Sequence, residues 1–181
     1  AQSLDLHEAV MAPMTELRNR TGDTVQGAVL DGREVVYVER LDSPNTLRLF
    51  VEVGRRNWAH STGCGKALLA FLPPEQLDRS LKNWKLGSKT KHTITDIARL
   101  RSDLAEARRR GYAVNRHESE VGVISVAAPI RDITGRTVAA ISVAGPAERL
   151  EPNELKLAQT TMECAATISR RLGYRGSVGA A

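Results

Sequence analysis

The chain has 181 residues, a net charge of +5 from 26 Lys and Arg against 21 Asp and Glu, and only 4% aromatic residues. That length suits one domain with a sizeable core, and no apolar run approaches the roughly 18 residues of a membrane span or the h-region of a signal peptide. The arginines come in short groups (Arg55-Arg56, Arg108-Arg109-Arg110, Arg170-Arg171) with no interleaved aromatics, so no nucleic-acid reader is expected inside the chain.

Leu6, Val10, Met14 and Leu17 make a helical seam that begins almost at Ala1, which suggests a piece of a longer protein. Residues 24–30 and 34–41 read as strands joined at Asp31-Gly32, a two-residue hairpin signal, and 47–51 as a third strand. A Gly-rich turn then opens a helix to Leu72, stopped by Pro73-Pro74, with a short helix over 74–81. Thr95 is expected to cap a helix over 96–110 that Gly111 ends. Residues 112–115, 122–130 and 137–144 read as strands, and Pro152 starts a last helix to Leu172 in which Cys164 is buried as a small hydrophobe. Hairpins dominate this order, so the expected class is α+β: an antiparallel sheet of about six strands with helices packed on it.

The most informative segment is His60-Ser61-Thr62-Gly63-Cys64-Gly65-Lys66-Ala67-Leu68-Leu69-Ala70. The first amides of a helix have no partner within it and carry partial positive charge, so a Gly-rich start lets an anion approach them. Ordinary capping by Ser61 or Thr62 is the alternative. Gly65-Lys66 does not complete a phosphate-binding P-loop, because His60 stands at the first glycine position and Ala67 at the hydroxyl position.

The last hairpin supplies a second feature. A four-residue loop over 132–135 pairs Arg131 with Arg136 and therefore Ser125 with Ser142. Two hydroxyls then share a face of small residues, Val123, Ala127, Ala140 and Ala144. This is either a shallow ligand patch or a Ser–Ser hydrogen bond under a packed helix. The polar loop 115–120 is either a pocket rim or a solvated turn. His7, His60, His92 and His117 are scattered, with no pair at metal-ligand spacing, so neither metal nor cofactor is expected. Cys64 or Ser142 as a hydrolytic nucleophile lacks any supporting motif.

The same glycine-rich segment, followed by Thr93-Ile94-Thr95-Asp96, Arg110-Gly111-Tyr112-Ala113, Glu118 with Gly122, Ala127-Ala128-Pro129-Ile130 and Ala139 to Pro146, resembles the effector-binding domain of IclR-type bacterial transcriptional regulators. The likeness runs from about Leu6 to Leu172. It implies a GAF-like fold, a curved antiparallel sheet with helices on both sides. It also implies a winged helix-turn-helix DNA reader upstream, a homodimer or homotetramer, a cytoplasmic location, and a small organic acid that modulates operator binding. On this reading residues 1–20 are a leading helix joined to the DNA-binding domain, 21–175 the effector-binding domain and 176–181 a flexible tail. By the resemblance the effector meets Gly63, Cys64, Asn115, Ser125, Ser142 and Ala144. Asn115 stands where the family commonly has an acid, and Ala144 where binders of small acids carry a second serine. Losing that charge and hydroxyl favours a larger, less polar acid, aromatic or branched. A free-standing sensor or oligomerisation module without a DNA role, or a Cys64/Ser142 hydrolase, are the alternatives.

Overall fold

The computed structural model describes residues 5–44 and 54–176. Helix α1 (Leu6–Thr21) is capped by Asp5, whose side chain accepts from Glu8 N at 2.8 Å, and ends at Gly22 in the left-handed region. Strands β1 (Thr24–Asp31) and β2 (Glu34–Leu41) form a hairpin in which Asp31 pairs with Glu34. The tight turn is thus Gly32-Arg33, one residue later than the Asp31-Gly32 signal. The expected strand at 47–51 lies outside the described residues. A short strand β3 (Arg56–Trp58), not expected from sequence, pairs with the start of β2.

A single 3₁₀ turn, Ala59–Ser61, leads into α2 (Gly63–Ala70), which α3 (Pro74–Leu81) and α4 (Ile97–Arg110) follow. The cap of α4 is Asp96 rather than Thr95: its carboxylate accepts from Arg99 N at 3.0 Å. Strands β4 (Ala113–Arg116), β5 (Val123–Arg131) and β6 (Thr137–Pro146) complete the sheet. The last helix begins later than Pro152. A four-residue helix α5 (Ala147–Leu150) and a 3₁₀ turn over 151–153 precede α6 (Glu154–Arg171).

The strands form one curled antiparallel sheet in the order β3-β2-β1-β6-β5-β4, so the α+β, GAF-like expectation holds. Period-two alternation splits it into two faces. Val25, Val114, Val126 and Val143 meet α1 and α6 in one apolar core. Ala28, Ala113, Ala127 and Ala140 meet α2 in the other, where α4 packs behind α2. Alanines on the second face let α2 lie close to the sheet, which brings its amino end onto the central strands.

The register of the β5–β6 hairpin corrects the sequence expectation. Arg131 pairs with Thr137 across a loop one residue longer than expected, and a bulge between Ile130 and Arg131 adds another residue. Ser142 therefore pairs with Ala127, and Ser125 with Ala144, instead of with each other. The two single-residue shifts sum to an even number, so both serines remain on the α2 face.

Candidate functional site

The site is built from two cross-strand rows on the α2 face. One runs Thr24, Ala144, Ser125, Asn115 over β1, β6, β5 and β4. The other, two residues along, runs Gln26, Ser142, Ala127, Ala113. Every member is buried. Four of the six residues singled out from sequence thus lie in adjacent rows of one face, and Gly63 and Cys64 lie above them.

At the start of α2, Thr62 is the cap: its Oγ1 accepts from Gly65 N at 3.1 Å and donates to Trp58 O at 2.9 Å. Lys66 N donates to Thr62 O at 3.0 Å. Gly63 and Cys64 come before that first bond of the helix, so their amides have no partner within it. Both glycines are required by close approach. A Cβ on Gly65 would stand 2.2 Å from the Ala59 carbonyl oxygen, and one on Gly63 would stand 2.5 Å from Ser125 Oγ.

The Cys64 thiol lies against the Ser142 hydroxyl, and its Sγ is 3.9 Å from Ala140 O. Burial pushes the thiol up to about 12, with Ser142 opposing slightly. A thiol that is 1% exposed and protonated at neutral pH is no nucleophile. Asn115 has both polar atoms engaged in its own loop: Oδ1 accepts from Glu118 N at 2.9 Å and Nδ2 donates to Ser119 Oγ at 2.9 Å. It therefore shapes the 115–119 turn, and reaches a ligand only by giving up one of these bonds. Ala144 offers no polar group, only space beside Ser125.

Sequence reasoning missed an ion cluster next to this face. Lys66, 1% exposed, donates to Asp103 Oδ2 at 2.8 Å and to both Glu118 oxygens at 3.0 Å. Glu118 Oε2 also accepts from Arg116 N, and its carbonyl from Thr93 Oγ1. The cluster ties α2 to α4 and to the 115–119 turn that carries Asn115. The signal available was a lysine three residues after Gly63 in an otherwise apolar helix. His60, also buried, stacks on Trp58 and meets Trp84 edge-on, with ring centroids 5.5 Å apart in each case, and its Nε2 is 2.8 Å from Gly87 O.

Four surface cavities of about 320 to 420 Å³ among the described residues lie around α6, α1 and the tip of the β5–β6 hairpin, and none of these is lined by the six candidate residues. No group of three or more His, Cys, Asp or Glu among the described residues could hold a metal ion. Among them, too, no helix is long and apolar enough to cross a membrane.

The family model "Bacterial transcriptional regulator IclR C-terminal" matches residues 1–170. The chain is 34% identical over 173 residues to the HTH-type transcriptional regulator XynR of Escherichia coli, covering 95% of this chain and 69% of that protein. It is 35% identical over 167 residues to the HTH-type transcriptional regulator BhcR of Paracoccus denitrificans, covering 92% of this chain and 60% of that one. Among solved structures, the IclR protein of Thermotoga maritima superposes with a TM-score of 0.89 at 34% identity, covering 94% of this chain and 70% of that one. An IclR homolog from Microbacterium hydrocarbonoxydans, complexed with 4-hydroxybenzoate, superposes with a TM-score of 0.83 at 29% identity, covering 95% and 70%.

Proposed function

The chain belongs to the IclR family of bacterial transcriptional regulators, as its C-terminal domain, and from that premise we propose that it senses a small organic acid and passes the signal to a DNA reader outside this chain. The observation that carries this reading is the polar patch buried within an otherwise apolar layer. The open Gly63 and Cys64 amides face the rows that hold Ser125 and Ser142. Helix-start amides that lack a partner in the helix are costly to bury unmet, and an oxygen of the bound effector would satisfy them.

The preferred acid is larger than glyoxylate or pyruvate. Ala144 supplies space where a hydroxyl would tighten the site, and Asn115 brings no charge. The 4-hydroxybenzoate complex of the Microbacterium homolog supports a ring-sized ligand. Residues 21–175 act as the sensing unit and residues 1–20 as the link to a helix-turn-helix domain; the assembly is a cytoplasmic homodimer or homotetramer.

The effector acts through its different affinities for two arrangements of sheet and helices, since a ligand that binds both equally shifts nothing. Helix α1 is placed to feel the change. His7 pairs with Glu39 on β2, and the neighbouring Arg40 points to the α2 side of the same strand.

A thermal-shift screen over carboxylic acids tests the reading, because binding to the native state raises the melting point. Aromatic or branched acids should give larger shifts than glyoxylate or pyruvate, and the reverse order would overturn the size argument. Ser142→Ala should weaken the best acid without unfolding the domain. Unchanged affinity would mean that the site is misplaced.

A further inference from the structure

Two buried donors stand without partners at the side of the candidate site nearest β2. Among the described residues, Gln26 Nε2 and Arg40 Nη1 are both buried and make no hydrogen bond. They are neighbours: Gln26 pairs with Arg40 across β1–β2 and with Ser142 across β1–β6. Arg40, Gln26 and Ser142 are therefore consecutive rungs of one row, and directly paired residues project from the same face. The face is the α2 side, because Glu39, next to Arg40, reaches His7 of α1 on the other side.

The Arg40 side chain is 9% exposed. Its Nε donates to Asp42 Oδ1 at 2.6 Å, which fixes the guanidinium plane, while Asp42 itself is half exposed. Nη1 is left open, on the residue paired with Gln26, whose Nε2 is also open. Both nitrogens can only donate, so whatever completes them is an acceptor. One of them is a cation with a planar fork, which matches a carboxylate better than a neutral oxygen. Neighbouring strands lie about 4.8 Å apart, so Gln26 is one strand spacing from Ser142, while Arg40 stands two spacings from Ser142 and three from the strand of Ser125, about 10 to 15 Å between backbones. A two-carbon acid does not reach across that distance, whereas a ring with a polar group opposite its acid suits it.

We propose that Arg40 and Gln26 hold the carboxylate of the effector, while the Gly63 and Cys64 amides with the Ser125 and Ser142 hydroxyls hold a second polar group at its far end. The ligand class is a ring-sized organic acid with a hydrogen-bonding substituent remote from the carboxylate. This assignment rests on the sensor reading above and adds to it which end of the ligand goes where.

The test is titration of the 181-residue chain with 4-hydroxybenzoate, benzoate and 4-hydroxybenzamide, followed by calorimetry. The wild type should prefer 4-hydroxybenzoate over the amide by about tenfold or more, the size of a charge-assisted hydrogen bond. Arg40→Met should weaken 4-hydroxybenzoate by a similar factor and leave the amide nearly unchanged, so that the preference collapses. Gln26→Leu should do the same to a smaller extent. Ser142→Ala should instead shrink the advantage of 4-hydroxybenzoate over benzoate. If Arg40→Met binds with its acid-over-amide preference intact, or loses both probes equally while its circular dichroism is native, the carboxylate is elsewhere and the sensor reading survives. A wild type that prefers the amide or is indifferent shows that Arg40 does not hold the carboxylate, and the assignment is wrong. A wild type that binds none of the three probes, nor any acid in the thermal-shift screen, removes the sensor reading as well. Should Arg40→Met not fold, Arg40→Lys together with Gln26→Leu carries the same comparison.

Discussion

Gly63 and Ser125 are in such close contact that a Cβ on the glycine would stand 2.5 Å from the serine Oγ. That contact sets the height of the α2 amino end above the sheet and, with it, the distance between the open amides and the two serine rows.

Gly63→Ala should therefore lower stability by about 1–3 kcal/mol, the usual cost of overpacking a filled interior. The melting temperature should fall by roughly 2–4 °C per kcal/mol for a domain of this size. Ser125→Ala removes the clashing oxygen, so the double variant should recover part of the loss. Simple additivity in that cycle would show that the two residues do not constrain each other.

Lys66→Met should be more damaging. It leaves the Glu118 carboxylate, 7% exposed, without its ammonium partner, a situation that typically costs about 3–5 kcal/mol. Replacing Lys66 and Glu118 together by apolar residues should restore much of the stability, because no lone buried charge remains. Chemical denaturation of the two variants beside the wild type measures this.

Alkaline pH should destabilise the domain. Burial pushes Cys64 and Cys164 up to about 12 from an ordinary 9.0, and it raises Tyr37 for the same reason. Below pH 9 the thiols are protonated in both states and add no slope. Between about 9 and 12 the unfolded chain loses those protons and the folded one keeps them. Stability then falls as pH rises, by up to about 1.4 kcal/mol per pH unit for each thiol. Cys64→Ala should flatten the stability profile in that window, and native Cys64 should resist alkylation at pH 8.

Acid should also destabilise, through His60. Its burial holds the ring pKa below the ordinary 6.5, against an opposing hydrogen bond to Gly87 O. The folded state thus keeps His60 neutral while the unfolded state takes a proton as pH drops through 6.5, so stability is present above that value and lost below it. Tryptophan emission from Trp58 and Trp84, which flank the ring, reports the loss. In His60→Asn the dependence between pH 5 and 7 should diminish.

Local chemistry along the chain was enough for much of the fold. Periodicity marked α1, α4 and α6; prolines at 73 and 74 closed α2 and opened α3; Gly32 and Gly135 turned the hairpins. It also picked out Gly63-Cys64 as a helix start, since the glycines and the Thr62 cap are adjacent in sequence. Helix edges were less legible, because Thr95 and Asp96 are both good caps and only the backbone geometry chooses between them.

What sequence could not supply was whatever depends on strand pairing. One extra loop residue and one bulge moved Ser125 away from Ser142 by two rungs, and a single shift would have put one of them in the opposite core. Gln26 and Arg40 meet only through the β1–β2 register, and Lys66 meets Glu118 only when α2 lies across β4 and β5. The physical reason is the same in each case. Helix and turn signals are carried by residues within a few positions of one another, whereas a binding face is assembled from residues far apart in the chain, whose alignment is decided by the packing of two apolar layers against one sheet.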